Sequence, residues 1–177
     1  MNYFQGKNIR LRAIELSDVA TLVEWDLHSE VGRYMHFLTP PQSEAAIKAF
    51  IEKESLKKLE DDRYFWIIEN SAGDAVGYID TRTDPRHGCF EYGVSVVPDQ
   101  KCKGYASEAI MMVVAYYFDH LRYQKVTAGV HSNNEASMGL HKKLGFQLEG
   151  TLRNMIYQEG GYIDLHYFGL TIDEYRK

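Results

Sequence analysis

A short loop that follows a β-branched, apolar run carries residue types that hold phosphate groups. The run ends at Val96-Val97-Pro98, and a strongly helical pattern begins a few residues later. A turn between them would align backbone N–H groups, the helix would add the positive end of its dipole, and glycine would let a ligand approach. The sequence therefore predicts a site for a phosphorylated ligand at Lys101, Cys102, Lys103, Gly104, Tyr105 and Ala106.

The other residue types with catalytic potential form no metal-binding or nucleophile pattern. Cys89 and Cys102 lie in separate segments without metal-ligand spacing, and two cysteines are too few for a disulfide scaffold. The histidines also lack a pairwise spacing that would compel a metal site. Ser107 is better interpreted as a helix start than as a nucleophile, because no Ser-His-Asp arrangement is apparent. We therefore expect no metal and no covalent enzyme intermediate.

Length and composition are typical of one globular domain. The chain has 177 residues, of which 45% are hydrophobic and 25% charged, which is enough to bury a sizeable core. A formal net charge of −5 argues against general affinity for nucleic acid, although Lys101 and Lys103 could still form a local positive site. No apolar segment approaches the roughly 18 residues of a membrane helix. We predict a single domain over residues 1–177, cytoplasmic, without nucleic-acid or membrane partners.

Hydrophobic periodicity indicates the elements that must position the loop. The segment Tyr3-Phe4-Gln5-Gly6 resembles a protease-tag remnant, and we give the first six residues no functional weight. The alternating or apolar runs predict strands at 9–14, 63–69, 75–81, 89–97, 125–130, 146–157 and 162–170, and helical spacing predicts helices starting near Ser17-Asp18, Ser43, Gly104 and Asn134. The fold class is therefore α/β (α+β), with a mixed central sheet of about seven strands flanked by about four helices.

The order of these elements and several motifs together resemble the GNAT family of N-acetyltransferases over nearly the whole chain. Gly104-Tyr105-Ala106-Ser107-Glu108-Ala109 resembles the acetyl-CoA turn of the subgroup that acetylates ribosomal-protein N-termini, the Rim-type enzymes. Ile9-Arg10-Leu11-Arg12 with Ser17-Asp18 resembles an opening that this subgroup shares with spermidine acetyltransferases. Asn134-Glu135-Ala136-Ser137 and Lys143-Leu144-Gly145-Phe146 resemble later family motifs.

The resemblance implies that acetyl-CoA is the cofactor and that its pyrophosphate lies at residues 101–106. Lys101 stands where the family usually has Gln or Arg, and Cys102 stands where glycine is common. Backbone amides do not depend on side chains and Lys101 keeps a positive charge, so we expect cofactor binding to persist. The resemblance also implies that the preceding strand splays from its neighbour at a bulge, so that the backbone of Val94 to Val96 holds pantetheine and polarises the thioester carbonyl. These valines could equally be core residues, and both interpretations can hold.

The resemblance assigns roles to three residues of the helix that starts at Asn134. Asn134 is expected to hydrogen-bond the pantetheine arm, or only to cap the helix, and Ser137 to face the cofactor. His141 stands where many family members have a tyrosine that protonates the departing thiolate. It lies two turns from Asn134 on nearly the same face, so it could donate a proton or stabilise the thiolate. The alternative is that His141 is a polar surface residue.

Glu91 is the candidate base for the reaction that the resemblance implies. Some family members use a glutamate on this strand to take the proton of the amine, directly or through water. A carboxylate needs partial burial to raise its pKa toward a useful value. The competing interpretation is a structural carboxylate that pairs with an arginine.

We therefore expect direct acetyl transfer from acetyl-CoA to a primary amine, foremost a protein or peptide α-amino group. Polyamines and other small amines, such as aminoglycosides or amino acids, are alternative acceptors. A non-catalytic acyl-CoA-binding module and an enzyme for another phosphorylated ligand, such as a nucleotide, stay open as well. The resemblance is also compatible with a homodimer.

Overall fold

The computed structural model of the chain describes residues 2–28, 40–57 and 62–177. Gly32, Pro40 and Pro41 predict a loop at 30–42, most of which lies outside these residues, as do Glu60 and Asp61 at the acidic segment where the sequence predicts the second helix to end. Seven strands are present: β1 (Ile9–Ala13), β2 (Phe65–Asn70), β3 (Ala75–Asp84), β4 (Cys89–Val96), β5 (Lys125–His131), β6 (Gln147–Gln158) and β7 (Gly161–Thr171). The helices of the described ranges are α1 (Val19–Leu27), α2 (Glu44–Ser55), α3 (Tyr105–Asp119), α4 (Glu135–Lys143) and α5 (Ile172–Tyr175), with 3-10 turns at Leu16–Asp18 and Pro98–Gln100.

The strands form one mixed sheet in the order β1-β2-β3-β4-β5-β7-β6. All neighbouring pairs are antiparallel except β4 and β5, which are parallel and pair only from Cys89↔Lys125 to Glu91↔Thr127. The two strands separate beyond Glu91, which confirms the predicted splay. The β3–β4 ladder runs without a register shift from Gly77↔Val96 to Asp84↔Cys89, so this ladder contains no bulge at the splay.

The two faces of the sheet bury separate apolar clusters. The larger cluster lies under α3, where Ile110, Val113 and Tyr117 pack against strand residues such as Phe90 and Val126. The smaller cluster lies under α1 and α2, around Trp25, Ile47, Ile51 and Ile67. The apolar stripes that predicted these helices from the sequence are therefore the surfaces that cover the sheet.

The N-terminal segment belongs to the fold, contrary to the interpretation as a tag remnant. The Leu11 N–H donates to the Phe4 carbonyl, and the Phe4 ring packs against Trp66 and Tyr116 at centroid distances of 6.0 and 5.0 Å. The Glu108 carboxylate accepts from the backbone and side-chain amides of Asn8. The segment thus covers the end of the main core beside α3.

Local signals set most element ends. Ser43 caps α2 by accepting from the Ala46 N–H, and Gly145, with φ 89°, follows the end of α4. The short helix α5 was not predicted, although the capping box of Thr171 and Glu174 that starts it is visible in the sequence. Asp18 precedes α1 without a side-chain cap bond, because its carboxylate binds Arg12 and the Glu15 N–H instead.

Candidate active site

The predicted phosphate turn joins β4 to α3 with its backbone donors accessible. Cys102 and Gly104 both adopt left-handed conformations, at φ 63° and 85°, so cysteine stands at a position whose backbone favours glycine. Gly104 occupies the N-cap of α3 without a side-chain cap bond, which leaves the N–H groups of the first turn open. A Cβ added at Gly104 would meet no atom within 4 Å. The turn can therefore bring an anion close to backbone amides.

The two lysines of the turn are exposed and differ in their contacts. Lys103 donates from Nζ to the Gln100 Oε1 at 2.7 Å, which holds its ammonium beside the turn. Lys101 follows the 3-10 turn that begins at Pro98. Tyr105 and Ala106 begin α3 and are half-buried. Positive charge and free backbone donors thus coincide at residues 101–106, as the sequence predicted.

The splay between β4 and β5 opens a cleft along β4, the strand that leads into this turn. Backbone groups of β4 beyond Glu91 have no partner on β5, so this side of the strand is left to solvent or a ligand. The side chains of Val94 and Val96 pack against the main core, while Val94 also lines the cleft. The core interpretation of the valines is confirmed, and their main-chain role stays compatible with it.

Asn134 and Ser137 lie on the cleft wall at the start of α4. Asn134 Oδ1 accepts from the Ser137 N–H at 3.1 Å, so the capping interpretation of Asn134 is confirmed. The same residue lines the cleft, which leaves the expected contact with a pantetheine arm a prediction. Ser137 also presents its carbonyl to His141 Nδ1 at 2.7 Å.

His141 is buried at the cleft, so the interpretation as a surface residue is wrong. His141 is only 3% exposed. Its ring stacks nearly parallel to the Tyr92 ring, with 6.0 Å between the ring centroids. Burial lowers the pKa of His141, although the Ser137 carbonyl opposes that shift by stabilising the protonated ring. The imidazole is therefore neutral at physiological pH.

Tyr92 is a cleft residue that the sequence analysis missed. Its hydroxyl lies 2.7 Å from His141 Nε2, and its own exposure is 6%. Burial raises the pKa of Tyr92 well above its ordinary value, so the phenol keeps its proton. The alternation of β4 places Tyr92 on the same face as the buried Phe90, so the sequence pattern indicates a core residue. The pattern gives no sign of a hydrogen-bond partner 49 residues away.

Glu91 faces the opposite side of the sheet and is exposed. Its Oε1 accepts from the Thr127 hydroxyl at 3.3 Å, and it lines the cleft at the point where β4 and β5 separate. Arg82 lies directly across from it on β3, but no ion pair within 4 Å joins these two described residues. Glu91 therefore lacks the partial burial that was expected of a base.

A second carboxylate lies on the same face next to the splay. Asp80 pairs across the ladder with Gly93, and a Cβ added at Gly93 would lie 2.8 Å from Asp80 Oδ1. The Asp80 carboxylate therefore occupies the space that a side chain at position 93 would fill. Asp80 and Glu91 are diagonal neighbours on this face, and Arg82 lies directly across from Glu91, so two carboxylates and one guanidinium share this side of the splay.

No group of three or more metal-binding side chains is found among residues 2–28, 40–57 and 62–177. No helix within these same residues is long and apolar enough to cross a membrane.

Comparison with known proteins agrees with this geometry. Residues 8–147 match the family described as "Acetyltransferase (GNAT) domain". The chain is 37% identical over 176 residues to the SPbeta prophage-derived uncharacterized N-acetyltransferase YokL of Bacillus subtilis (strain 168), covering 99% of this chain and 96% of that protein. It is 25% identical over 158 residues to the spermidine N(1)-acetyltransferase of Escherichia coli (strain K12), covering 88% and 81% of the two chains.

The fold is also shared with solved structures. The spermidine N-acetyltransferase of Vibrio cholerae, crystallised in complex with CoA and spermine, superposes with a TM-score of 0.85 at 20% identity, covering 96% of this chain and 98% of that one. This likeness confirms the predicted single-sheet α/β architecture. By family match, sequence identity and fold, the chain belongs to the GNAT family of N-acetyltransferases.

Proposed function

We propose that this protein transfers the acetyl group of acetyl-CoA to a primary amine by direct attack of the amine on the thioester. The observation that carries this proposal is the parallel β4–β5 pair that separates beyond Glu91 and leads into a turn with open backbone donors. Such a cleft can form main-chain hydrogen bonds with the extended pantetheine arm of acetyl-CoA, and the turn provides a positively charged binding site for its phosphates. The splay and the phosphate turn lie at opposite ends of one short segment, residues 91–106.

The residues present fit the acetyl donor. The turn from Lys101 to Ala106 supplies amides, a helix N-terminus and a lysine charge for the pyrophosphate. The backbone of Val94 to Val96 supplies the hydrogen-bonding edge for the pantetheine arm, and a backbone N–H there would polarise the thioester carbonyl. Asn134 and Ser137 line the other wall of the cleft. When bound, acetyl-CoA supplies an activated acyl group, so that no covalent enzyme intermediate is needed.

The chain itself must orient the amine and take up its proton. Glu91 lies where the cleft opens, so we assign it the capture of the amine and the removal of its proton through water. Its exposure places this contribution at the low end for a general base, because solvent can also carry the proton. Asp80 adds negative charge beside it and favours a cationic acceptor.

For the acceptor we propose a small polycationic amine. The two carboxylates of Asp80 and Glu91, which outnumber the one guanidinium of Arg82 on this face, support this class, as do the net charge of −5 and relatives named for spermidine. A protein or peptide α-amino group, which the Rim-type resemblance favours, stays a prediction and is the competing acceptor. The homodimer also stays a prediction.

An acceptor screen tests the proposal. The enzyme is mixed with acetyl-CoA and release of free CoA thiol is followed with spermidine, spermine, peptides bearing a free α-amino group, and aminoglycosides. We expect the highest kcat/KM with the polyamines. Faster turnover with peptides would overturn the proposed acceptor while leaving the acetyl transfer in place.

CoA binding and nucleotide competition, measured beside the acceptor screen, separate two other functions. CoA binding without thiol release for any amine would indicate a non-catalytic acyl-CoA-binding module. Displacement of CoA by nucleotides at similar concentrations would indicate a site for another phosphorylated ligand. Either result would contradict the proposed transferase.

Replacing Glu91 by glutamine is expected to lower kcat/KM for the acceptor about 100-fold, the low end for loss of a positioned base, because the amine loses its proton acceptor. The acidic limb of the pH profile of kcat/KM should also flatten, since the carboxylate must be ionised to act. The measurement is the pH dependence of kcat/KM for both proteins. Glu44→Gln, which removes an exposed carboxylate from the first turn of α2, is the matched control and should leave the profile unchanged. An unaltered acidic limb in Glu91→Gln rules out this role.

A further inference from the structure

Tyr92 and His141 form a buried hydrogen-bonded pair on one wall of the cleft. The phenol oxygen lies 2.7 Å from His141 Nε2, and Nδ1 of the same ring lies 2.7 Å from the Ser137 carbonyl oxygen. Both residues line the cleft between β4 and β5. The pair therefore faces the space in which the proposed function places the thioester.

The hydrogen-bond partners fix the positions of the protons. A backbone carbonyl can only accept, so Nδ1 of His141 must carry the hydrogen in the bond to Ser137. The neutral ring then has a lone pair on Nε2, and this nitrogen accepts the hydroxyl hydrogen of Tyr92. In this state His141 has no N–H to offer to the cleft, whereas Tyr92 has a hydroxyl.

We propose that Tyr92 supplies the proton to the departing CoA sulfur and that His141 is the residue that positions its hydroxyl. This inference rests on the proposed acetyl transfer. The sequence predicted that His141 itself donates the proton. In this proposal, His141 instead accepts the hydrogen bond of the Tyr92 hydroxyl, and Tyr92 donates the proton.

The proton transfer balances within the reaction. The C–S bond breaks with its electron pair moving to sulfur, and the Tyr92 O–H bond breaks as the proton moves to that sulfur. Glu91 and water take the first proton of the ammonium before the attack, and the proton that the nitrogen loses as the amide forms passes through water to the Tyr92 oxygen while the phenol proton moves to sulfur. The phenol is restored, and neither an oxidant nor a further co-reactant is required.

The hydroxyl can leave His141 at the moment when sulfur becomes negative. Its hydrogen rotates about the C–O bond while the oxygen stays in place. A bond to an anion is about twice as strong as one between neutral groups, so a thiolate competes successfully with the neutral imidazole. Before that moment, the bond to Nε2 holds the phenol oxygen at the cleft wall. Burial, which keeps Tyr92 protonated, also keeps the donor available over the pH range of the reaction.

Tyr92→Phe tests this inference because it keeps the ring and removes only the hydroxyl. We expect kcat to fall about 100-fold, as for the loss of a positioned acid. The matched control is Tyr123→Phe, which removes another buried hydroxyl, one that bonds Asp62 Oδ2 at 3.2 Å outside the cleft lining. Tyr123→Phe should leave kcat unchanged.

A binding measurement separates a role at sulfur from a structural role. Wild-type protein should prefer CoA over desulfo-CoA, and this preference should grow as pH rises and the bound thiol ionises. In Tyr92→Phe the preference should fall about tenfold, the value of a hydrogen bond to a charged group. Calorimetric titration with both ligands gives the two affinities. A ratio that does not change with pH in the wild-type protein, or that is equal in the two proteins, overturns the inference even if Tyr92→Phe folds poorly.

His141 variants test the positioning role. His141→Phe should lower kcat and the CoA preference together, and His141→Gln, whose side-chain oxygen can accept a hydrogen bond, should recover part of both. Unchanged turnover in His141→Phe would contradict the role. Failure of the wild-type protein to bind CoA at all would overturn the proposed function, whereas CoA binding with an unaltered ratio would overturn only the assignment of Tyr92.

Discussion

Replacing Gly104 by alanine is expected to raise the KM for acetyl-CoA about tenfold, equivalent to about 1.4 kcal/mol of lost binding. Residue 104 has a φ of 85° at the N-cap of α3, and a Cβ there would point into open space. In the proposed complex that space belongs to the pyrophosphate, so a methyl group would hold the phosphate away from the backbone amides. The left-handed conformation adds a folding cost of about 1 kcal/mol for any residue with a Cβ.

Gly73→Ala provides the matched control for this prediction. Gly73 has a φ of 90° in the turn between β2 and β3, and a Cβ there would also meet no atom within 4 Å. The backbone cost should therefore be similar for the two variants, while only Gly104→Ala affects the KM. Steady-state kinetics with varied acetyl-CoA and urea unfolding measure the two effects. An equal KM for both variants would show that the turn at Gly104 does not contact the donor.

Replacing Arg12 by methionine should destabilise the fold by about 3 kcal/mol, the low end for breaking a buried ion pair, because solvent still reaches part of the side chain. The Arg12 guanidinium bonds both oxygens of Asp18, at 2.7 and 2.8 Å, and Glu69 Oε2 at 2.8 Å. Asp18 and Glu69 are 4% and 7% exposed, so loss of Arg12 leaves two buried carboxylates short of donors. Methionine keeps the aliphatic stem. Urea denaturation at neutral pH measures the change.

The stabilisation that Arg12 provides depends on pH, because Arg12 lowers the pKa of two carboxyl groups in the folded protein. Burial alone would raise the pKa of Asp18, but hydrogen bonds from Arg12 and the Glu15 N–H bring it below its ordinary value. Hydrogen bonds from Arg10 and Arg12 likewise lower the pKa of Glu69 against the effect of burial. The unfolded carboxylates bind protons first as pH falls, so this stabilisation is complete above about pH 5 and is lost below it.

The difference in unfolding free energy between wild type and Arg12→Met should therefore shrink as pH falls from about 5 toward 3. Arg10→Ala is the control, since Arg10 also bonds Glu69 but is half-exposed, and it should cost much less stability. A difference that is constant with pH would contradict the ionic origin of the effect.

Local patterns in the sequence were sufficient to predict the elements of this fold. Alternating or apolar runs placed the seven strands within a few residues of their ends, and a glycine-containing turn was placed correctly between β4 and α3. These signals depend on near neighbours, so they can be read without the tertiary structure. The splay between β4 and β5 was expected only through the family resemblance, because strand separation leaves no local pattern.

Contacts between distant segments could not be predicted in the same way. The bond of Tyr92 to His141 spans 49 residues, and that of Arg12 to Glu69 spans 57. The alternation of β4 predicts only that Tyr92 is a core residue and says nothing about a partner for its hydroxyl. The helical spacing placed His141 on the cleft face of α4 but did not predict that it is buried. The packing of Phe4 against Trp66 was also missed, because a short terminal segment has no periodicity of its own.

The central claim is that acetyl-CoA lies between β4 and β5 with its phosphates at the turn before α3. A titration of the wild-type protein with CoA, followed by NMR of the backbone amides, tests this location directly. We predict that the largest shift changes occur at residues 93–96 and 101–106, with smaller changes at Asn134 and Ser137. Changes that cluster on another part of the sheet, with residues 93–106 unaffected, would contradict the account.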